Sequence, residues 1–402
     1  MIDSTRLLFL LLMLQIAACA TAPPAPPPEP DPAPQASVEP RETEPPPPPV
    51  DKSTLRISIA SVGDMMLGTD YPQNHLPDDD GVGFLADVTA AISAADIAFG
   101  NLEGVLVDGG EPWKKCSNPK ACYLFRSPPR YAEHFKNAGF DVLSLANNHA
   151  RDFDEEGRSS SMDAITARGM HHSGREGDFA SVAKGDLRVA FLAYAVTKNS
   201  NMMLDYELAF TTVEQFAATH DIVVVSFHGG AEGADVTHIP FAEEEYYGEP
   251  RGDIVWFARG VVDAGADLVI GHGPHVVRGM ERYKGRLIAY SLGNFATYYG
   301  ISVAGIKGLA PILTVTLDGT GAFLDGQITS TVQLRPAGPS IDEKQRALNL
   351  LRGLSIDDFG EPGLRFLPDG HLLPFDRGEV KQHCRSGLGA APTRCLLVVT
   401  PN

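Results

Sequence analysis

Between about residues 55 and 275 the chain alternates short runs of β-branched and apolar residues with longer amphipathic stretches. The short runs predict buried strands and the amphipathic stretches predict helices packed against them, so the pattern indicates βαβ units around a sheet. The predicted strands are residues 55–62, 97–100, 142–145, 189–194, 222–227 and 268–270. The predicted helices include residues 84–94, 129–138 and 254–264.

The last third of the chain follows a different pattern. From about Val276 onwards the sequence predicts strands alone, at residues 287–290, 311–317 and 326–334, with glycine turns between them. The segment after Pro336 is loop-rich. We therefore expect a globular domain at residues 51–335 followed by a C-terminal extension at residues 336–402.

The N-terminus predicts an export signal. Residues 7–14 are all apolar, but the apolar segment is shorter than the roughly 20 residues that a membrane span requires. Ile16-Ala17-Ala18-Cys19 resembles the lipobox of bacterial lipoproteins, so residues 1–18 are a predicted signal peptide and Cys19 is the predicted lipidated residue. The alternative is an ordinary secretory signal with a free cysteine. Residues 19–50 are rich in proline and predict a semi-rigid linker between the lipid anchor and the folded domain.

Composition narrows the class of partner. The chain of 402 residues is 43% hydrophobic, which is ordinary for a soluble globular protein, and its net charge is −18. A surface this acidic repels phosphate backbones, so nucleic acid is not an expected partner.

The cysteines after Cys19 fall in two local pairs, Cys116 with Cys122 and Cys384 with Cys395. An even number of cysteines outside the cytoplasm predicts disulfides, and we favour the two local bridges over the other connectivities. A zinc site is the competing interpretation, although neither pair has the C-x-x-C spacing usual in structural zinc sites.

Polar side chains that can bind metals follow five of the predicted strands. In open α/β sheets, ligands collect beyond the carboxyl ends of the strands, so a site is expected at these positions. They are Asp64, Asn101 with Glu103, Asn148 with His149, His228, and His272 with His275. Oxygen and imidazole ligands suit divalent Zn, Mn or Fe, so the sequence predicts one or two such ions at one edge of one sheet.

Each of these residues also has an ordinary structural explanation. An Asp after a strand is often a turn former or a helix cap, and a lone His such as His228 is often a buried, hydrogen-bonded imidazole. Asn147-Asn148 alone suggests a left-handed turn. The metal hypothesis depends on the five positions occurring together.

Several strings also resemble one family. The strings GDMMLG, NLEG, LANNHARD, HGGAE and GADLVIGHGPHVVRGMERYKGRLIAYSLGNF are similar to those of the CapA (PGA_cap) family of bacterial capsule and poly-γ-glutamate synthesis proteins. That family resembles a branch of the calcineurin-like metallophosphoesterases. The resemblance covers about residues 55–297 and implies an α/β fold, a four-layer α/β/β/α sandwich of the metallophosphoesterase type, with late strands pairing into a second sheet.

The resemblance also implies roles for individual residues. Asp64 and His275 would bind a first metal ion, and Glu103 would bridge two ions with Asn101 beside it as a further ligand or a supporting group. The second ion would be bound by Asn148, His228 and His272. His149 would be the catalytic residue that protonates a leaving oxygen. Two such ions would stabilise a phosphoryl displacement.

The sequence departs from the phosphoesterase pattern at Met66, where those relatives have a His two residues after the first Asp. A thioether is a poor ligand for these metals, so the first site is predicted to be depleted. Residues 243–247, an acidic and aromatic stretch, form either a solvated loop or a lid over the site.

The leading functional hypothesis is a lipid-anchored envelope protein of the CapA type, which acts with metal ions in synthesis, export or attachment of a capsule-like polymer of the poly-γ-glutamate class. A periplasmic metal-dependent phosphatase or phosphodiesterase is the second hypothesis, and a non-catalytic module that binds polymer or a partner is the third. The expected partners are a membrane, through Cys19, and polymer-synthesis or export subunits. Ala20 resembles the sorting signal for the outer membrane, so its periplasmic face is the predicted location.

Overall fold

A computed structural model describes residues 51–113 and 123–375, together with the backbone of residues 381–384 and 395–398. The strands are β1 (Arg56–Met66), β2 (Ile97–Leu102), β3 (Val105–Leu106), β4 (Arg126–Ser127), β5 (Val142–Ser144), β6 (His171–Ser173), β7 (Ala180–Lys184), β8 (Leu187–Ala195), β9 (Ile222–His228), β10 (Glu244–Tyr246), β11 (Glu249–Gly252), β12 (Leu268–His272), β13 (Val277–Tyr283), β14 (Arg286–Leu292), β15 (Asn294–Thr297), β16 (Leu309–Asp318), β17 (Phe323–Gln333), β18 (Pro339–Ile341), β19 (Leu364–Phe366), β20 (His371–Pro374), β21 (Lys381–Cys384) and β22 (Cys395–Val398). The helices are α1 (Ala86–Ser93), α2 (Ala132–Ala138), α3 (Asp154–Thr166), α4 (Tyr206–Ala217), α5 (Ile254–Asp263) and α6 (Arg346–Phe359). Each predicted strand and helix is found, with small shifts at the ends.

Two large sheets organise these strands. The first runs β19-β20-β17-β16-β1-β2-β5-β6, with β15 beside β1 and β18 beside β17. The second runs β13-β14-β12-β9-β8-β7. In each sheet the central βα strands are parallel, and the late strands extend the sheet by antiparallel pairs.

Three apolar clusters separate four layers. The cluster between the sheets takes alternate residues from both, for example Phe99 of β2 and Phe191 of β8, whose rings stack with centroids 5.7 Å apart. The opposite face of the first sheet packs on α1 and α2, and the opposite face of the second packs on α4 and α5. Both faces of each central strand are therefore covered, which explains why the strands read as continuous apolar runs. The predicted four-layer α/β/β/α class is confirmed.

The late strands do not all form the second sheet as expected. Only β13 and β14 join it, whereas β16 and β17 pair with the first sheet through β1. β15 runs parallel to β1, and β16 runs antiparallel to it. The turn at Gly319 to Gly321 then lets β17 pair antiparallel with β16.

The segment after Pro336 is not merely loop. Within residues 339–374 it contributes β18, β19 and β20 to the first sheet, and α6 inserts Leu348, Leu351 and Leu354 into the cluster between the two sheets. These leucines recur every three residues, which keeps them on one face of the helix, but no pattern in the sequence indicates which sheet this face contacts. The prediction of a loop-rich segment is wrong for these residues.

Several predictions fall outside the described residues. They are the signal peptide, the linker, the lipidated Cys19, and the pair Cys116 and Cys122. For the other pair, the antiparallel register of β21 and β22 sets the backbone of Cys384 opposite that of Cys395. Within residues 51–113 and 123–375, no helix combines the length and the apolar content needed to cross a bilayer.

Candidate metal centre

The two sheets bring their functional residues together where the carboxyl ends of their parallel strands meet. Asp64 of β1 pairs in register with Asn101 of β2, and His228 of β9 pairs with His272 of β12. The sequence predicted one edge of one sheet, which is wrong, because β9 and β12 belong to the second sheet. Ligands therefore face each other from two sheets.

Asp64 lies inside β1, two residues before its end, and not after the strand as predicted. The register with β2 shifts between Ser61 and Asp64, and this irregularity turns the carboxylate towards the site. A Cβ on Gly63 would lie 1.9 Å from the carbonyl oxygen of Gly293, so only glycine permits this close approach. The backbone N–H of Asp64 donates to that same oxygen at 2.9 Å.

Asp64, Glu103 and His228 form the centre of the site. Their ligand atoms all lie within 4.8 Å of one another, and all three side chains are buried. Both carboxylate oxygens of Glu103, both ring nitrogens of His228 and Oδ1 of Asn148 are buried without a hydrogen-bond partner. A buried polar atom without a partner costs about 1–3 kcal/mol, and a bound cation would satisfy the lone pairs of such atoms. The donor set of carboxylate, amide oxygen and imidazole fits a divalent transition metal.

His275 joins this group from the loop after β12. Its Nδ1 donates to Oδ2 of Asp64 and Oδ1 of Asn294, both at 3.0 Å. Its Nε2 lies 3.6 Å from Glu103 and 3.8 Å from Glu232. His275 has a φ of 59°, in the left-handed region, which the tight Gly273-Pro274 turn imposes.

A chain of amides supports the carboxylate of Asp64. Nδ2 of Asn101 donates to Oδ1 of Asp64 at 2.9 Å, and Nδ2 of Asn147 donates to Oδ1 of Asn101 at 3.0 Å. Oδ1 of Asn147 accepts the backbone N–H of His149. Asn101 therefore supports a ligand, and Asn147 fixes the turn that presents Asn148 and His149.

His149 is held by Asp152. Nδ1 of His149 lies 2.8 Å from Oδ2 of Asp152, a fully buried carboxylate that also accepts the backbone N–H of Phe125 at 2.7 Å. A carboxylate only accepts, so Nδ1 carries the proton and Nε2 is the nitrogen left for a ligand. The ring of Phe125 lies 4.3 Å from the His149 ring and limits its rotation.

The structure places His272 differently from the predicted second-metal ligand. Its Nε2 donates to the carbonyl oxygen of Val62 at 3.1 Å, and its Nδ1 lies 3.3 Å from Oγ of Ser226. A ring nitrogen that donates to a carbonyl has no lone pair for a metal, so in this arrangement His272 ties β12 to β1.

Met66 packs away from the charged group. It is buried and forms a small apolar cluster with Phe125 and Ile301. This cluster places an apolar side chain where the phosphoesterase pattern has an imidazole, and the depletion of the first site stays a prediction.

Burial and charge shift the titration of the central residues. Burial raises the pKa of Glu103 to about 7, with Asp64 and Glu232 adding to the rise. Burial also lowers the pKa of His228 to about 3, so this ring is neutral and can offer a lone pair. Although burial opposes ionisation of Asp64, its hydrogen bond with His275 keeps its pKa well below the usual range. Burial likewise opposes charge on His275, but the carboxylates of Glu103 and Asp64 raise its pKa to about 10.

A cavity of about 230 Å³ opens onto this group. Its lining includes His149, His275, Glu232, Lys307 and Tyr246. Tyr246 belongs to the β10–β11 hairpin, the stretch predicted to be a loop or a lid, and Glu244 at its start forms a buried ion pair with Arg278 at 2.7 Å. The hairpin is thus anchored beside the cavity.

Sequence reasoning missed Glu232, Asn294 and Asp152. Glu232 reaches the site from the HGGAE string and pairs with Arg251 at 3.1 Å. Asn294 pairs in register with Asp64 and fixes His275. Asp152 stands three residues after His149, a spacing that brings two side chains together in a helical turn and would have been the usable signal.

The chain is similar to one described protein family and to named bacterial proteins. Residues 58–299, more than half of the chain, match the family described as "Bacterial capsule synthesis protein PGA_cap". Capsule biosynthesis protein CapA of Bacillus anthracis is 27% identical over 272 residues, which cover 60% of this chain and 59% of the relative. PGA biosynthesis protein CapA of Bacillus subtilis (strain 168) is 27% identical over 256 residues, which cover 60% and 63%. The match thus spans about three fifths of either relative.

Among solved structures, a putative 5'-nucleotidase from Staphylococcus aureus has a TM-score of 0.38 and 14% identity, covering 74% of this chain and 58% of that one.

Proposed function

This chain belongs to the PGA_cap family of bacterial capsule synthesis proteins, and from that premise we propose that it is a metal-dependent phosphoesterase-like protein of the cell envelope. It acts in synthesis, export or attachment of a capsule-like surface polymer of the poly-γ-glutamate class. One observation carries the proposal of a metal-dependent reaction. The buried ligand atoms of Asp64, Glu103 and His228 lie within 4.8 Å of one another and lack hydrogen-bond partners at Glu103 and His228.

The residues present fit a divalent ion. Asp64, Glu103 and His228 would hold it, with Nε2 of His275 3.6 Å from Glu103. Asn148 is a further proposed ligand, because its Oδ1 is buried without a hydrogen-bond partner. When bound by these residues, a divalent ion would supply Lewis-acid chemistry for a phosphoryl group and a water molecule. The amides of Asn101 and Asn147 keep the carboxylate of Asp64 in position before any ligand arrives.

His149, when both of its ring nitrogens carry a proton, would donate the Nε2 proton to the leaving oxygen and remain as the neutral imidazole protonated on Nδ1. Asp152 fixes Nδ1 and the ring orientation, so Nε2 is the atom that meets a substrate in the cavity lined by His149. The apolar cluster of Met66, Phe125 and Ile301 excludes water from that side.

The location and attachment form part of the same proposal. The protein is anchored by lipid at Cys19, faces the periplasm from the outer membrane, and carries the disulfides Cys116–Cys122 and Cys384–Cys395. The opposed backbones of Cys384 and Cys395 support the second bridge. Polymer-synthesis or export subunits are the proposed partners. The net charge of −18 repels a polyanionic polymer, so direct contact with such a polymer would need local cations.

Metal analysis and esterase assays test the proposal. The metal-free protein, exposed to Zn or Mn and then desalted, should retain at least about one equivalent. It should hydrolyse p-nitrophenyl phosphate or its bis ester, and His149→Ala should lower kcat by about 100-fold or more. The matched control His171→Ala removes an exposed imidazole on β6 and should change neither the retained metal nor kcat.

Two results would oppose the proposal. Retention of less than about half an equivalent of metal would contradict the proposal of a metal-dependent reaction. Metal binding without hydrolysis of either ester by the wild type would favour a non-catalytic binding module.

A further inference from the structure

A second cavity, of about 450 Å³, adjoins the metal centre. This volume lies in the range of small-molecule sites. It shares no lining residue with the first cavity, yet the two are lined by consecutive residues, Asn148 here and His149 there. Asp152, which orients His149, also lines it. A molecule whose ester bond lies at His149 can therefore extend its leaving group into this second cavity.

The wall formed by residues 197–200 is held by partly buried hydrogen bonds. Oγ1 of Thr197 donates to the carbonyl oxygen of Asn147 at 3.2 Å, which joins the wall to the metal-binding turn. Arg158, only 1% exposed, donates from Nη1 to the carbonyl oxygen of Asn199 at 2.7 Å. Asn199 has a φ of 64°, so this contact holds a left-handed residue in place. The wall is organised before a ligand binds.

The charges around the cavity favour an anion of low charge. Lys198 is exposed on the wall and forms no ion pair within residues 51–113 and 123–375. Arg151, the other cation of the lining, already pairs with Asp154 and Glu155, both at 2.8 Å. One unpaired ammonium beside these carboxylates suits a single negative charge better than a phosphate dianion.

Trp113 provides a flat apolar surface in the lining of the same cavity. Its indole is 56% exposed, and the guanidinium of Arg151 lies 5.8 Å from the ring centre. Its backbone N–H donates to the carbonyl oxygen of Asp152 at 2.9 Å, which fixes its position relative to the site. An exposed, positioned indole can cover the face of a planar or apolar group.

We propose that this second cavity binds the leaving group of the ester, and that this leaving group carries one carboxylate next to a flat or apolar body. The carboxylate meets Lys198 and the body packs on Trp113. The inference rests on the proposed hydrolysis, but binding of the free leaving group does not require turnover and can be measured separately.

The binding test uses the tryptophan content of the chain. The sequence has two Trp residues, Trp113 and the exposed Trp256 of α5, so Trp256→Phe leaves Trp113 as the one indole. Titration of this variant with 4-hydroxybenzoate should change the fluorescence saturably, and phenol should bind at least about tenfold more weakly. Adding Lys198→Ala should weaken binding of 4-hydroxybenzoate up to about fivefold and leave binding of phenol unchanged, while Lys198→Arg should restore most of the affinity.

The kinetic test compares 4-carboxyphenyl phosphate with phenyl phosphate. The ratio of their kcat/KM values should fall up to about fivefold in Lys198→Ala, through the KM of the carboxylated ester. The matched control Lys136→Ala, on the surface of α2, should keep the wild-type ratio.

The outcomes separate the two proposals. Binding of 4-hydroxybenzoate that depends on Lys198, without hydrolysis of any ester, would support the cavity and contradict the reaction. Hydrolysis with equal binding of phenol and 4-hydroxybenzoate, or with no effect of Lys198→Ala, would overturn the cavity and leave the reaction standing.

Discussion

Nδ1 of His275 lies 3.0 Å from Oδ2 of Asp64, although 211 positions separate the two residues in the chain. The pair links the loop after β12 in the second sheet to β1 in the first. Burial opposes a positive charge on His275, but the carboxylate of Glu103 and the hydrogen bond with Asp64 raise its pKa to about 10. A proton on this imidazole thus balances the negative charge of the buried carboxylates. A bound divalent ion would balance the same charge.

Glu103→Gln should weaken metal binding and stabilise the metal-free protein. The change removes a ligand, and at pH 8 it also removes a buried negative charge whose pKa burial has raised to about 7. Metal affinity should fall at least about tenfold, while the melting temperature of the metal-free form should rise. Glu214→Gln, an exposed change on α4, should alter neither quantity. A lower melting temperature of the metal-free Glu103→Gln protein would contradict the charge argument.

Metal affinity should increase with pH. A proton on Glu103 competes with the ion because the neutral acid is the poorer ligand, and the pKa of this group is raised to about 7 by burial. Between pH 5 and 7 the apparent affinity should therefore rise by up to about tenfold per pH unit for this one proton. Calorimetric titration at several pH values measures the trend, and an affinity independent of pH over this interval would show that Glu103 does not bind the ion.

Asp152→Asn should lower kcat without a matching change in KM. The amide can still accept the backbone N–H of Phe125 but no longer holds the Nδ1–H of His149 with a negative charge. We expect kcat to fall about 10- to 100-fold and the acidic limb of the pH profile to move. Asp163→Asn, an exposed change on α3, is the matched control. An unchanged pH profile together with a lower kcat would assign Asp152 a merely structural role.

Asp267 should make the protein less stable as the pH rises from about 4 to 6. Burial raises the pKa of Asp267 from 3.8 to about 6, so the folded state binds more protons than the unfolded state across this interval. The free energy of unfolding then falls with rising pH, by at most about 3 kcal/mol from this group. Asp267→Asn should flatten the dependence of the unfolding free energy on pH between about 4 and 6. The control Asp186→Asn, at an exposed position, should leave it unchanged. An unaltered slope in Asp267→Asn would contradict a raised pKa of Asp267.

The strands and helices were predictable wherever a local pattern of apolar residues indicates them. The strands around Ile97, Val142 and Ile222 are covered on both faces and so leave continuous apolar runs in the sequence. The division into two sheets and the pairing of β16 with β1 depend on contacts between distant segments, which no local pattern records. The contribution of α6 was missed for the same reason.

The site was predictable in its ligand types and less so in its geometry. Asp64, Glu103 and His228 converge as expected. His272 has the right chemistry, but its orientation is decided by a hydrogen bond to Val62 that only the folded chain provides. Glu232 could not be distinguished by sequence from the many other acidic residues of the chain.

The position of α6 has a practical consequence for expression of the protein. The family match ends at residue 299, but α6 starts at Arg346 and fills the gap between the sheets, while β20 covers the edge of β17. A recombinant fragment that stopped at residue 335 would open that gap to solvent and leave β17 with unpaired backbone amides, which promotes aggregation. Soluble fragments should therefore extend at least through Phe375.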